Sequence, residues 1–87
     1  MNYAVIDLGS NTVRLSVYRY ENDRIITVIR QKEVAGLAGY VTKNTMELEG
    51  IHKACDILRE LKEIASGFVK EENIHIFATA SLRGLLN

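Results

Sequence analysis

Ile6-Asp7-Leu8-Gly9-Ser10-Asn11-Thr12-Val13-Arg14-Leu15-Ser16-Val17-Tyr18 (IDLGSNTVRLSVY) decides the fold, because it joins a strand end, a tight turn and a second strand in one short run. The residues leading into it, Asn2 to Asp7, form a short apolar strand, and Leu8 to Asn11 supply turn chemistry. From Thr12, the apolar Val13, Leu15 and Val17 alternate with Arg14, Ser16 and Tyr18. That period of two marks a strand with one buried face, continuing to about Tyr20. A Walker A loop or a dinucleotide fingerprint needs glycines that open a helix, so a strand after the turn excludes both.

Working outward, Glu21-Asn22-Asp23 is a second turn, and Ile25 to Val34, rich in Ile and Val, continues an antiparallel meander as a third strand. Ala35 to Tyr40 has two glycines and no period, which suits a loop. Asn44 followed by Glu47 resembles a capping box and predicts that a helix starts there. Ile51, Ala54, Cys55, Leu58, Leu61, Ala65 and Phe68 then recur at three- and four-residue spacings, with Lys53, Arg59, Glu60 and Lys62 on the other side. Gly67 suits a C-cap, Ile74 to Thr79 reads as a short strand, and Ala80 to Asn87 begins another helix capped by Thr79 or Ser81. A strand-helix-strand crossover implies a parallel pair beside the meander. The expected class is therefore α/β with a mixed sheet in the order β-β-β-α-β-(α).

The 87 residues fit one small domain, with no proline-rich linker or composition shift to mark a second one. Hydrophobic residues at 47% and charged ones at 25% are the balance of a globular core. Eleven basic and eleven acidic residues cancel, so no net field draws in nucleic acid or an anionic membrane, and any anion must be bound locally. One cysteine excludes an internal disulfide framework, and no long apolar run is present. The expected compartment is the cytoplasm.

Two segments carry candidate chemistry. In the first hairpin, Gly9 can take a positive φ, and the amides of Gly9, Ser10, Asn11 and Thr12 can converge on one concavity that holds a phosphate. Ser10, Asn11 and Thr12 add side-chain donors, and Asp7 at the strand end can hold a magnesium ion directly or through water. An ordinary Asp-x-Gly-Ser hairpin turn accounts for the same residues. The second segment, ATASLRGLLN (Ala78 to Asn87), places Ser81 and Arg83 where a strand meets a helix N-terminus, and such junctions favour anions. His52 and His75 have no companions at zinc-ligand spacing, and Cys55 reads as a small core residue. Arg14, Tyr18 and Tyr20 could form a surface for nucleic acid, but the neutral charge and the lack of a basic stripe argue against one.

Together the two segments resemble the exopolyphosphatase and guanosine pentaphosphate phosphohydrolase family (Ppx/GppA) of the actin-like ATPase superfamily. Its members open with a similar acidic-Gly-Ser-Asn hairpin, matched by Asp7, Gly9, Ser10, Asn11 and Thr12. They also carry an Ala-Thr-Ser-Ala-x-Arg segment with a following Asn, similar to Ala78, Thr79, Ala80, Ser81, Arg83 and Asn87. The resemblance implies a ribonuclease-H-like fold, here incomplete, with residues 1–87 forming a partial N-terminal domain. It further implies magnesium as cofactor and polyphosphate or guanosine pentaphosphate as substrate, with Gly9, Ser10, Asn11, Thr12 and Arg83 on phosphate and Asp7 on metal. No catalytic residue is implied within the chain: the family's catalytic glutamate and second Asp-Gly-Gly-Ser loop lie further along, so these residues alone are expected to be inactive. The chain departs from the family at Val34 to Tyr40, which lacks an Arg-Leu-Gly-Glu-Gly segment, and in the exchanged Ala80 and Ser81. An actin-like sugar or carboxylate kinase and a non-catalytic interaction module are the alternatives. Apolar residues on both sides of the first and last strands, against one long helix, predict an uncovered face and a homo-oligomer.

Overall fold

The structure, a computed structural model, describes residues 1–78. The expected terminal helix, with Ser81 and Arg83, lies outside the described residues. Strands β1 (Asn2–Leu8), β2 (Thr12–Glu21) and β3 (Arg24–Val34) form the antiparallel meander. After the helix α1 (Leu48–Ser66), the strand β6 (Ile74–Ala78) returns parallel to β1. The sheet order is β3-β2-β1-β6, so the class is α/β and the sheet is mixed, as the crossover argument requires.

Between β3 and α1 the chain adds a small hairpin absent from the expected order, β4 (Val41–Thr42) and β5 (Thr45–Met46), which precedes the returning strand β6. Its turn explains a misplaced helix start. Lys43 and Asn44 have φ of 53° and 62°, the paired left-handed angles of a two-residue hairpin turn, so Asn44 turns the chain and does not cap the helix. Residue Glu47 is the N-cap instead, without a side-chain cap bond. Asn22 and Asp23, at 53° and 61°, make the same turn between β2 and β3.

Helix α1 packs on one face of the sheet. Ala54, Leu61 and Ala65 are buried with Ala4 and Ile6 of β1, Val13, Leu15 and Val17 of β2, and Ala35, Leu37, Met46 and Val69. Ile51 and Leu58 pack half-buried against this cluster, and two expected core positions, Cys55 and Phe68, fall outside it. Cys55 is exposed, because it follows Ala54 by about 100° around the helix and leaves the arc centred on Ala54, Leu61 and Ala65. Phe68 is 46% exposed, because the helix has ended at Ser66, and Val69 takes the core position. Gly67 caps the helix in right-handed geometry, with φ of −73°. Near the other end, Gly50 lies where a Cβ would stand 2.5 Å from the Cβ of Tyr40, so the absence of a side chain lets the 3₁₀ turn Leu37–Tyr40 dock on the helix.

The opposite face has no helix among the described residues. Cross-strand register places Asp7, Arg14 and Lys32 in one row and His75, Val5, Ser16 and Arg30 in the next. Beyond them lie Tyr3, Tyr18, Tyr20 and Ile25, which line an apolar depression.

Candidate functional site

Strands β1 and β2 meet at a two-residue turn, Ser10-Asn11, closed by the Gly9 N–H donating to Thr12 O at 2.9 Å. The turn is anchored by its carbonyls. Ser10 O accepts from the Ala38 N–H at 2.8 Å, and Asn11 O accepts from the amides of Ala35 and Gly36, both at 2.9 Å. With the carbonyls turned toward that loop, the amides of Ser10 and Asn11 have no acceptor among the described residues. The glycine with a positive φ among them is Gly36, at 60°, and not Gly9. The reason is local: Gly9 is bonded across the hairpin to Thr12, whereas the chain must bend back sharply at Gly36 to reach the turn.

Those three bonds bring the Val34 to Tyr40 stretch against the hairpin. The segment that lacks the family's charged residues is thus a structural neighbour of Ser10 and Asn11, supplying backbone donors where charged side chains would be expected. On the other side, the parallel register ends at Leu8 opposite Ala78. Arg83, the remaining candidate, lies outside the described residues.

Asp7 is exposed on the open face, opposite Arg14 on β2 and opposite Phe77 on β6. It makes no salt bridge among the described residues, and no group of three His, Cys, Asp or Glu gathers around it there. A lone carboxylate fits magnesium only as one contributor, since that ion keeps several waters and takes further oxygens from phosphate. His52 on α1 and His75 on β6 are both exposed and far apart in the fold's layers.

The structure adds two residues that sequence reasoning did not single out. Arg30 and Lys32 of β3 reach the same side as Arg14, and with Asp7, Ser16 and Tyr18 they line an open depression of about 580 Å³. Their signal was the period-two spacing on β3, which became informative only with the register to β2. No membrane-length apolar helix exists among the described residues.

No protein-family profile matches the chain. Curated relatives do. The chain is 37% identical over 82 residues to the guanosine-5'-triphosphate,3'-diphosphate pyrophosphatase of Aliivibrio fischeri, covering 93% of this chain and 16% of that protein. It is 35% identical over 86 residues to the protein of the same name in Vibrio atlanticus, covering 98% and 17%. Among solved structures, the Aquifex aeolicus member of the Ppx/GppA family superposes with a TM-score of 0.88 at 25% identity, covering all of this chain and 28% of that one. An exopolyphosphatase from Cytophaga hutchinsonii gives 0.82 at 30% identity, with the same coverage. The chain therefore spans only a small part of the length of each of these proteins.

Proposed function

Because the chain corresponds over its whole length to the N-terminal part of Ppx/GppA phosphohydrolases, we propose that it supplies the first phosphate-binding hairpin of an actin-like phosphoanhydride hydrolase. The substrate class is inorganic polyphosphate or guanosine pentaphosphate. Gly9, Ser10, Asn11 and Thr12 hold the phosphate through backbone and side-chain donors, and Arg83 grips it from the segment after β6. Asp7 provides one carboxylate to a magnesium ion, whose chemistry is to neutralise phosphate charge. The single observation that carries this reading is the pair of amides, Ser10 and Asn11, left without acceptors among the described residues while their carbonyls are bound elsewhere. Unpaired donors clustered in a turn are what an oxyanion needs.

The hydrolase is favoured over the kinase because the relatives' names are those of hydrolases. The interaction-module reading rests on the uncharged Val34 to Tyr40 loop bonded against the turn. Titrating the labelled 87-residue chain with orthophosphate and magnesium, followed by amide NMR, separates them. Saturable shifts centred on Ser10 and Asn11 are expected, and unmoved amides there would favour the module.

A further inference from the structure

Residues 35–40 are fastened at both ends. At one end the amides of Ala35 and Gly36 donate to Asn11 O, both at 2.9 Å, and the Ala38 amide donates to Ser10 O at 2.8 Å. At the other end Tyr40 is seated on the start of α1 by three separate contacts. Its carbonyl accepts from the N–H of Glu47, the N-cap residue, at 2.7 Å. Its side chain covers Gly50, where a Cβ would stand 2.5 Å from Tyr40 Cβ and 2.9 Å from Cγ. Its ring centre lies 5.6 Å from Lys53 Nζ, within reach of a cation–π attraction. Leu37, between the two ends, is fully buried. The segment is a strut that runs from the helix to the hairpin turn.

That strut decides where an amide points. A trans peptide unit is planar, with its C=O and N–H directed oppositely, and the Ser10 C=O and the Asn11 N–H belong to one such unit. With Ser10 O held by the Ala38 amide, the Asn11 N–H is forced to the side away from residues 35–40, where it has no acceptor among the described residues. Neither Ser10 nor Asn11 belongs to a strand, so no ladder fixes that unit in the strut's place. We infer that Tyr40 is a positioning residue for the Ser10-Asn11 peptide unit: seated on α1, it keeps the Ala38 amide on Ser10 O and thereby the Asn11 N–H aimed outward. Its effect on anion affinity rests on the reading of the turn as a phosphate site, whereas its effect on orientation does not. The uncharged segment acts through its backbone and one aromatic anchor, and Tyr40 sets the affinity of a phosphate that it never touches.

Dipolar couplings of the Asn11 N–H, measured by NMR on the labelled 87-residue chain in a weakly aligning medium without ligand, report that orientation. Tyr40→Ala is expected to turn the Asn11 vector, to speed hydrogen exchange at the Ala38 amide, and to weaken orthophosphate binding about tenfold, the scale of one charge-assisted hydrogen bond. Tyr40→Phe keeps the ring and should retain all three properties of the unaltered chain. Ala38 is exposed, and Ala38→Pro deletes its donor within the first turn of the 3₁₀ segment, where proline is tolerated. It should turn the vector in the same way. This second variant loses no core contact, so it decides the matter even if Tyr40→Ala does not fold. Leu58→Ala, two turns beyond Gly50 on α1, trims a half-buried core side chain and should lower stability with the vector and the phosphate affinity unchanged. An Asn11 vector unaltered in Ala38→Pro or in folded Tyr40→Ala, or one turned equally by Leu58→Ala, would overturn the inference. Failure of the phosphate reading is separable, because it would show as Ser10 and Asn11 amides that ignore orthophosphate in the unaltered chain, while the ligand-free couplings still judge Tyr40.

Discussion

Gly50 is the residue where one added methyl group has the clearest consequence. A Cβ there would sit 2.5 Å from Tyr40 Cβ and 3.0 Å from Met46 Cγ, and neither the 3₁₀ turn nor the helix backbone can easily retreat. Gly50→Ala raises intrinsic helix propensity, yet the clash outweighs it, and we expect a net loss of about 1–3 kcal/mol in urea unfolding. Gly36 differs: its φ of 60° demands glycine for backbone reasons, while the space around its Cβ is open. Neither role is written in the local sequence, because both depend on contacts made across the chain. The hairpin residues Asp7, Gly9, Ser10 and Asn11 were legible, since turn chemistry between two alternating runs is a local signal. Asn44 was misread for the same reason that it was visible: the residue type that caps helices also adopts left-handed turns.

At the level of elements, the β2–β3 ribbon outruns its cover. A register shift between Val17 and Tyr18 marks where the ladder bends, and beyond it every residue from Arg19 to Thr27 is exposed. Hydrogen exchange should therefore be graded along β2, with amides around Arg19 to Glu21 exchanging well before those of Val13, Leu15 and Val17, which lie over the buried core. Uniform protection along the strand would contradict the packing described. The strands and the long helix could be read from periods of two and of 3.6, and their ends agree closely with those expectations except at the helix start, which follows Glu47 and not Asn44. The β4–β5 hairpin could not, because two-residue strands carry no period, and its turn residues compete with a capping signal.

For the whole molecule, the decisive asymmetry is a sheet with a helix on one face and none on the other among the described residues. The radius of gyration, 14.1 Å, exceeds the roughly 12 Å of a compact chain of this length, in keeping with the projecting ribbon. Ile25, Val34 and Phe77 are 73%, 70% and 58% exposed, and β3 and β6 are the edge strands of the sheet among the described residues. Such surfaces seek partners, so self-association that rises with concentration is expected in sedimentation velocity, weakened by charged substitutions at Ile25 and Phe77. Apolar residues on both faces of the first and last strands made this need for cover legible in advance, whereas the basic half of the open face emerged only from the register. The parallel pairing of β1 with β6 also fixes an order of events. The β1-β2-β3 meander closes through short loops and can form while the chain is still being synthesised, but Ala4 to Leu8 must wait for Ile74 to Ala78, almost the full length later. Until then one flank of β1 stands unzipped, and the late arrival of β6 is the step at which a nascent chain is most exposed to capture by a neighbour's strand.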